Sequence, residues 1–160
     1  MPLTPLHIGP ATLIFAIFSF LCPISLLLGA TMLDVEGFSY YFLGVGQSPH
    51  GLLHTPLAAT VYTLLVVVPL VFLMWFVIKK TKMKYAAPAA TIIVASALLG
   101  VYSHILLDAM LYSDLNLAWP LPYWNPLLGT VDMLGMTFFC ILCFLAALAV
   151  FAITALMRRH

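Results

Sequence analysis

Two pairs of ionisable residues in this sequence share a spacing that suits metal binding. In the stretch VYSHILLDAM (101–110), His104 and Asp108 are four residues apart in an otherwise apolar run. Positions i and i+4 of a helix lie on one face, so the imidazole and the carboxylate can reach a single atom. In HGLLH, His50 and His54 repeat this spacing, provided that the segment is helical. Imidazole and carboxylate are ligands of zinc and related divalent cations.

Three further residues join this set because they flank the first apolar run: His7 before it, and Asp34 and Glu36 after it. Ionisable groups at membrane depth are costly unless a partner compensates them, and none of the six Lys and Arg residues is near them in sequence. We therefore predict a site for one or two divalent cations, with zinc as the expected metal. The predicted ligands are His7, Asp34, Glu36, His50, His54, His104 and Asp108.

Each of these patterns also has a simpler interpretation. The pair of His104 and Asp108 could be hydrogen-bonded within a helical core, and HGLLH could be an interfacial segment with hydrated histidines. The two acids after the first apolar run could cap or hydrate a helix end. Asp132 is predicted to serve the N-terminus of the last helix, and Asp114 is predicted to be solvated.

The composition places the chain among membrane proteins. Of its 160 residues, 64% are hydrophobic and only 7% are charged, whereas about a quarter of the residues of a soluble domain are charged. The net charge of +1 offers no basic stripe for phosphates, which excludes nucleic acid as a partner. We expect one transmembrane helical domain over residues 1–160.

Three apolar runs are long enough to cross a bilayer, which takes roughly 20 residues. They cover residues 56–78, 86–112 and 131–157. The first run, residues 7–33, is either one helix or a hairpin of two short helices, because Pro23 disfavours a continuous helix at its centre. The predicted fold is an all-α polytopic membrane bundle, with three full spans and a broken or hairpin first segment.

The charges predict the orientation of the chain in a cytoplasmic membrane. All Lys and Arg residues lie in KKTKMK (79–84) or at residues 158–159, and two predicted spans separate the two clusters. By the positive-inside rule, the KKTKMK loop and the C-terminus are cytoplasmic. Every acid then falls at the outer end of a span, so the predicted metal site faces outward.

At these residues the chain resembles the YdjM-like (LexA-regulated) membrane-bound metal-dependent hydrolases. That family carries an N-terminal histidine, an acidic pair after the first hydrophobic region, a segment with two histidines, and a Ser-His-x-x-x-Asp helix leading to Trp-Pro. The counterparts here are PLHIGP, LDVEG, HGLLHT and YSHILLDAMLYSDLNLAWP, which together cover residues 7 to 120. The chain departs from the family pattern at Glu36, where the family has aspartate, and at His50, which falls at a family arginine.

Two functions are consistent with these residues and with the resemblance. The first is a metal-dependent hydrolase that uses metal-activated water against a lipid-linked or other phosphoester of the membrane, with Glu36 or Asp108 as general base. The second is a non-catalytic accessory subunit of a larger membrane complex, with membrane-protein partners and a structural metal or none. A structural site would be closed by protein ligands, whereas a catalytic site leaves a position for water.

Overall fold

The computed structural model describes residues 4–46, 48–80 and 88–159, and within them the chain forms only helices, turns and irregular segments. These residues form seven α-helices, which are linked by turns, a short 3₁₀ turn at Leu52–His54 and a π-helical turn at Thr63–Val67. The α-helices are α1 (Thr4–Ile17), α2 (Pro23–Thr31), α3 (Asp34–Leu43), α4 (Pro56–Tyr62), α5 (Val68–Lys80), α6 (Ala90–Leu111) and α7 (Met133–Met157). The π turn joins α4 to α5, so that Pro56–Lys80 is one continuous helix.

In the part of the chain that the structure describes, three helices are long and apolar enough to cross a membrane: Pro56–Lys80, Ala90–Leu111 and Met133–Met157. The predicted all-α fold with three long apolar helices is therefore confirmed. Two of these helices begin later than the apolar runs that predicted them. The helix predicted from residue 86 begins at Ala90, because Pro88 and Ala89 are not helical, and residues 86–87 lie outside the described residues. The last helix begins at Met133 rather than at residue 131, because Asp132 caps it.

The first apolar segment is a hairpin. The chain leaves α1 after Ile17, Cys22 is extended, and Pro23 occupies the first turn of α2, where its missing N–H costs nothing. α1 packs against both α2 and α7, while α2 packs most extensively against α6. Because the chain reverses direction, the start of α1 and the end of α2 lie at the same end of the bundle.

Small residues bring α2 and α6 into close contact. A Cβ atom added to Gly100 would lie 2.2 Å from the carbonyl oxygen of Leu26, and one added to Gly29 would lie 2.2 Å from that of Ala97. Such close backbone approach is the usual role of small residues between membrane helices, where packing replaces the hydrophobic effect. This contact fixes the height of α6 relative to α2, and therefore the height of the residues that follow along both helices.

The Lys and Arg residues that the structure describes lie at the end of the bundle opposite the acidic residues. Pro56–Lys80 runs for about 36 Å at 1.5 Å per residue before it reaches Lys79 and Lys80. Arg158 lines a cavity with Phe15 and Ser19, at the α1–α2 turn. The remaining lysines of KKTKMK, at 82 and 84, and the tail residue His160 lie outside the described residues.

Candidate metal centre

Side chains from several segments converge at the end of the bundle where the acids lie. His7 comes from the first turns of α1, Asp34 from the start of α3, His54 from the 3₁₀ turn, and His104 and Asp108 from α6. Two groups of ligand atoms lie within 4.8 Å of one another: His7, Asp34 and His104 in the first, and His50, His54 and Asp108 in the second. The hairpin is what returns Asp34 to the level of His7.

Asp108 belongs to the second group and also contacts the histidines of the first. Its Oδ1 is 3.3 Å from the Nε2 of His7, and its Oδ2 is 3.0 Å from the Nε2 of His104. Oδ2 is also 3.8 Å from the Nε2 of His54 and 3.9 Å from that of His50. One carboxylate with histidines on both oxygens has the arrangement of a bridging ligand, so the geometry suits two adjacent cations as well as one.

Three histidines are oriented by hydrogen-bond acceptors that lie beside their Nδ1 atoms, on the side of the ring away from Asp108. The Nδ1 of His104 is 2.8 Å from the carbonyl oxygen of Ala30, and the Nδ1 of His54 is 2.9 Å from Glu36 Oε2. The Nδ1 of His50 is 3.1 Å from Asp114 Oδ1. Carbonyl and carboxylate oxygens only accept, so each Nδ1 carries the proton and donates it. In the neutral ring the Nε2 lone pair is then free, as in metal-binding histidines.

The free nitrogens of two histidines face each other. The Nε2 atoms of His54 and His104 are 3.4 Å apart. When both rings are neutral and protonated on Nδ1, two lone pairs oppose one another across this gap, which a proton or a cation must relieve. Two nitrogen ligands at the usual distance from a tetrahedral zinc are about 3.3 Å apart. The observed separation therefore fits two ligands of one ion.

Several buried polar atoms of the site have no hydrogen-bond partner of acceptable geometry among the described residues. They are His7 Nδ1, Asp34 Oδ2 and both carboxylate oxygens of Asp108. An unsatisfied buried polar atom costs roughly 1–3 kcal/mol, and more when it is charged. A divalent cation would satisfy such carboxylate oxygens, so the donor set present here fits a metal.

Glu36 belongs to neither group of converging ligand atoms. Its carboxylate accepts from the backbone N–H of Leu53, at 3.0 and 3.2 Å from the two oxygens, and from the Nδ1 of His54. It therefore lies behind His54, on the side away from Asp108. This position favours an orienting role for Glu36, in which it fixes the tautomer and the ring plane of His54.

We expect Glu36→Gln to weaken metal binding by about 10- to 100-fold without removing a ligand, because glutamine keeps the size but loses the charge that holds His54. Competition with a calibrated chelator on the purified protein measures this affinity. Asp132→Asn is the matched control, since Asp132 accepts from the N–H of Gly135 at the start of α7. Equal affinity in wild type and Glu36→Gln would contradict the orienting role.

The HGLLH segment reaches the site without forming an α-helix. Residues 50–51 are not helical, and only Leu52–His54 is a 3₁₀ turn, so the i,i+4 geometry considered for His50 and His54 does not occur. Their rings nevertheless meet edge to face, with centroids 5.0 Å apart. Burial lowers the pKa of His50, with His54 adding to this effect and Asp108 and Asp114 opposing it. A lowered pKa favours the neutral ring that binds metals.

Two residues near the site were missed by sequence reasoning. Asp114 is exposed to solvent, as expected, but its carboxylate also contacts the His50 ring and accepts from the His50 backbone N–H at 3.3 Å, and this contact was not predicted. Tyr112 stacks on His50 with ring centroids 4.0 Å apart. Neither residue has a distinctive sequence signal, although Tyr112 continues the four-residue spacing of His104 and Asp108. The predicted capping role of Asp132 is confirmed.

The site is closed around the α6 residues and more open where Asp34 and Asp114 lie. His54, His104 and Asp108 are no more than 1% exposed, whereas the side chains of Asp34 and Asp114 are 20% and 31% exposed. Any ligand from outside the protein therefore approaches past these two acids.

No protein-family model, curated protein or solved structure matches this chain.

Proposed function

We propose that this protein is a membrane-bound, metal-dependent hydrolase that cleaves a lipid-linked phosphoester at the outer membrane surface. The observation that carries the proposal is the convergence of the Nε2 atoms of His50, His54 and His104 on Asp108, with each Nδ1 held by an acceptor. A core hydrogen-bond network needs no such alignment of free lone pairs, whereas a bound cation does.

The mixed imidazole and carboxylate donor set favours zinc, and Asp108, with histidine nitrogens near both of its oxygens, would be able to serve two ions. A divalent cation in this position supplies Lewis-acid polarisation of a phosphoester and brings the pKa of water close to neutrality. The residues of the chain then have separate tasks. Asp34, which is partly exposed, faces the direction of entry, and Glu36 and Asp114 hold His54 and His50 in place.

The position of the site supports a lipid substrate. His54 closely precedes the helix Pro56–Lys80, so the site lies at one end of a candidate span, at the depth of lipid headgroups. A groove of about 540 Å³ begins at Leu52 and Leu53, beside His54, and continues along the helix to Leu65 and Val66. Its lining is almost wholly apolar, which suits a hydrocarbon chain. The positive-inside rule assigns this end to the outer face of a cytoplasmic membrane.

A structural metal in an accessory subunit of a membrane complex is the second candidate. The near-complete burial of His54, His104 and Asp108 favours it, because structural sites are closed by protein ligands. The partial exposure of Asp34 favours the hydrolase instead, since it leaves a route to the site. The two candidates differ in whether a metal-loaded protein turns over a substrate.

Two measurements on the purified full-length protein test the proposal. Elemental analysis is expected to find one or two zinc ions per chain in the wild type and a clear loss in His104→Ala. Release of phosphate or headgroup from a panel of membrane lipids is expected in the wild type, to stop with chelator and to return with added zinc. A metal-loaded protein with no turnover on any lipid would support the accessory role, and a wild type without metal would overturn both forms of the site.

A further inference from the structure

Tyr112 continues the face of α6 that carries the metal-site residues. His104, Asp108 and Tyr112 follow one another at intervals of four residues, so their side chains lie on one side of the helix axis. α6 ends at Leu111, and the backbone N–H of Tyr112 still bonds to the carbonyl oxygen of Asp108 at 2.9 Å. Tyr112 is therefore one turn beyond Asp108, on the side of the outer loops.

The hydroxyl group of Tyr112 is buried and has no hydrogen-bond partner among the residues that the structure describes. Its ring is fixed in place, because it stacks on His50 with an interplanar angle of 20°. A buried hydroxyl without a partner is destabilising, and a ligand that accepts its hydrogen bond would recover that loss. Tyr112 differs in this from Tyr102 on the same helix, whose hydroxyl is 2.6 Å from Thr60 Oγ1.

A phosphoester at this site needs hydrogen-bond donors for its anionic oxygens, and none of the described Lys and Arg residues lies there to provide them. Phosphoryl groups are commonly held by Arg or Lys in addition to metals. All six Lys and Arg residues of this sequence lie at 79–84 and 158–159, and the described ones are at the opposite end of the bundle. The surrounding carboxylates of Asp34, Asp108 and Asp114 also repel an anion. Metal ions and neutral donors must therefore hold it.

We propose that the Tyr112 hydroxyl donates a hydrogen bond to an anionic phosphoryl oxygen of the ligand at the metal centre. The inference rests on the proposed function and deepens it, since it assigns a substrate-binding residue that replaces a basic side chain. The shared chemistry of the ligand is a phosphoryl group with anionic oxygens, whether it belongs to a lipid headgroup or to free phosphate.

The test compares zinc-loaded wild type, Tyr112→Phe and the control Tyr102→Phe, which loses a hydroxyl on the same helix outside the site. Zinc content is measured first and is expected to be equal in all three. Isothermal titration with inorganic phosphate, and separately with short-chain phosphatidic acid, then measures anion affinity. We expect Tyr112→Phe to bind at least one probe roughly 10- to 100-fold more weakly, Tyr102→Phe to match the wild type, and chelator to abolish binding in all.

The outcomes separate this inference from the proposed function. Equal affinity of wild type and Tyr112→Phe for both probes overturns the role of Tyr112 but leaves the metal site intact. A loss of zinc in Tyr112→Phe also overturns it, because Tyr112 would then act only by supporting His50. A wild type that binds no zinc overturns the proposed function and the inference together. Weaker binding of one probe alone supports the inference and identifies lipid or free phosphate as the ligand.

Discussion

Replacing Asp108 with asparagine is expected to abolish metal binding by this protein. Asparagine keeps the size of the side chain, but it removes the negative charge and replaces one ligand oxygen with an NH₂ group that cannot bind a cation. Asp108 is the residue whose two oxygens face His7 on one side and His50, His54 and His104 on the other. Both groups of ligands are therefore disrupted at once.

The expected loss of metal affinity in Asp108→Asn can be judged from mutations that have a smaller effect. Mutation of residues that only orient metal ligands costs about 10- to 100-fold in affinity, so loss of a shared ligand should cost more than roughly 100-fold. Elemental analysis after dialysis and chelator competition measure this. Asp132→Asn is the matched control, because it makes the same chemical change at an acid that caps α7. Full zinc occupancy and unchanged affinity in Asp108→Asn would show that Asp108 is not a ligand of the bound zinc.

Replacing Gly100 with alanine is expected to cause a large loss of stability. The added Cβ would meet the carbonyl oxygen of Leu26 at 2.2 Å and the backbone nitrogen of Ala30 at 2.9 Å. Both are backbone atoms, so no side-chain rotation relieves the contact, and α2 must move away from α6. Overpacking of a well-packed core costs roughly 1–3 kcal/mol and occasionally more. The displacement also moves the carbonyl of Ala30, which orients His104.

Thermal unfolding in detergent, followed by tryptophan fluorescence, measures the loss of stability. Ala95→Leu is the control, because Ala95 lies on α6 but is exposed on its outer side. It adds more volume than Gly100→Ala and is expected to leave the unfolding temperature nearly unchanged. We also expect zinc affinity to fall in Gly100→Ala. An unfolding temperature for Gly100→Ala equal to that of the wild type would contradict the close α2–α6 contact.

Much of the architecture could be predicted because it depends on local sequence. A long apolar run is sufficient to predict a membrane-length helix, since unpaired backbone groups are too costly in hydrocarbon. The spacing of His104 and Asp108 likewise predicts a shared face wherever the helix lies. Pro23 favoured a break in the first run without deciding between one helix and a hairpin, because proline removes a backbone hydrogen bond from a helix interior. One helix start was also predictable, since Asp132 was expected to cap the last helix and does so.

The sequence by itself determined the class of the protein, the separation of its acids from its cations, and the residue types available for a metal site. Only the tertiary structure decided which of these residues meet. It returned Asp34 to His7 through the hairpin, set Glu36 behind His54, and brought Asp114 and Tyr112 onto His50. These contacts join residues far apart in the chain through turns and side-chain orientations, which no local pattern specifies.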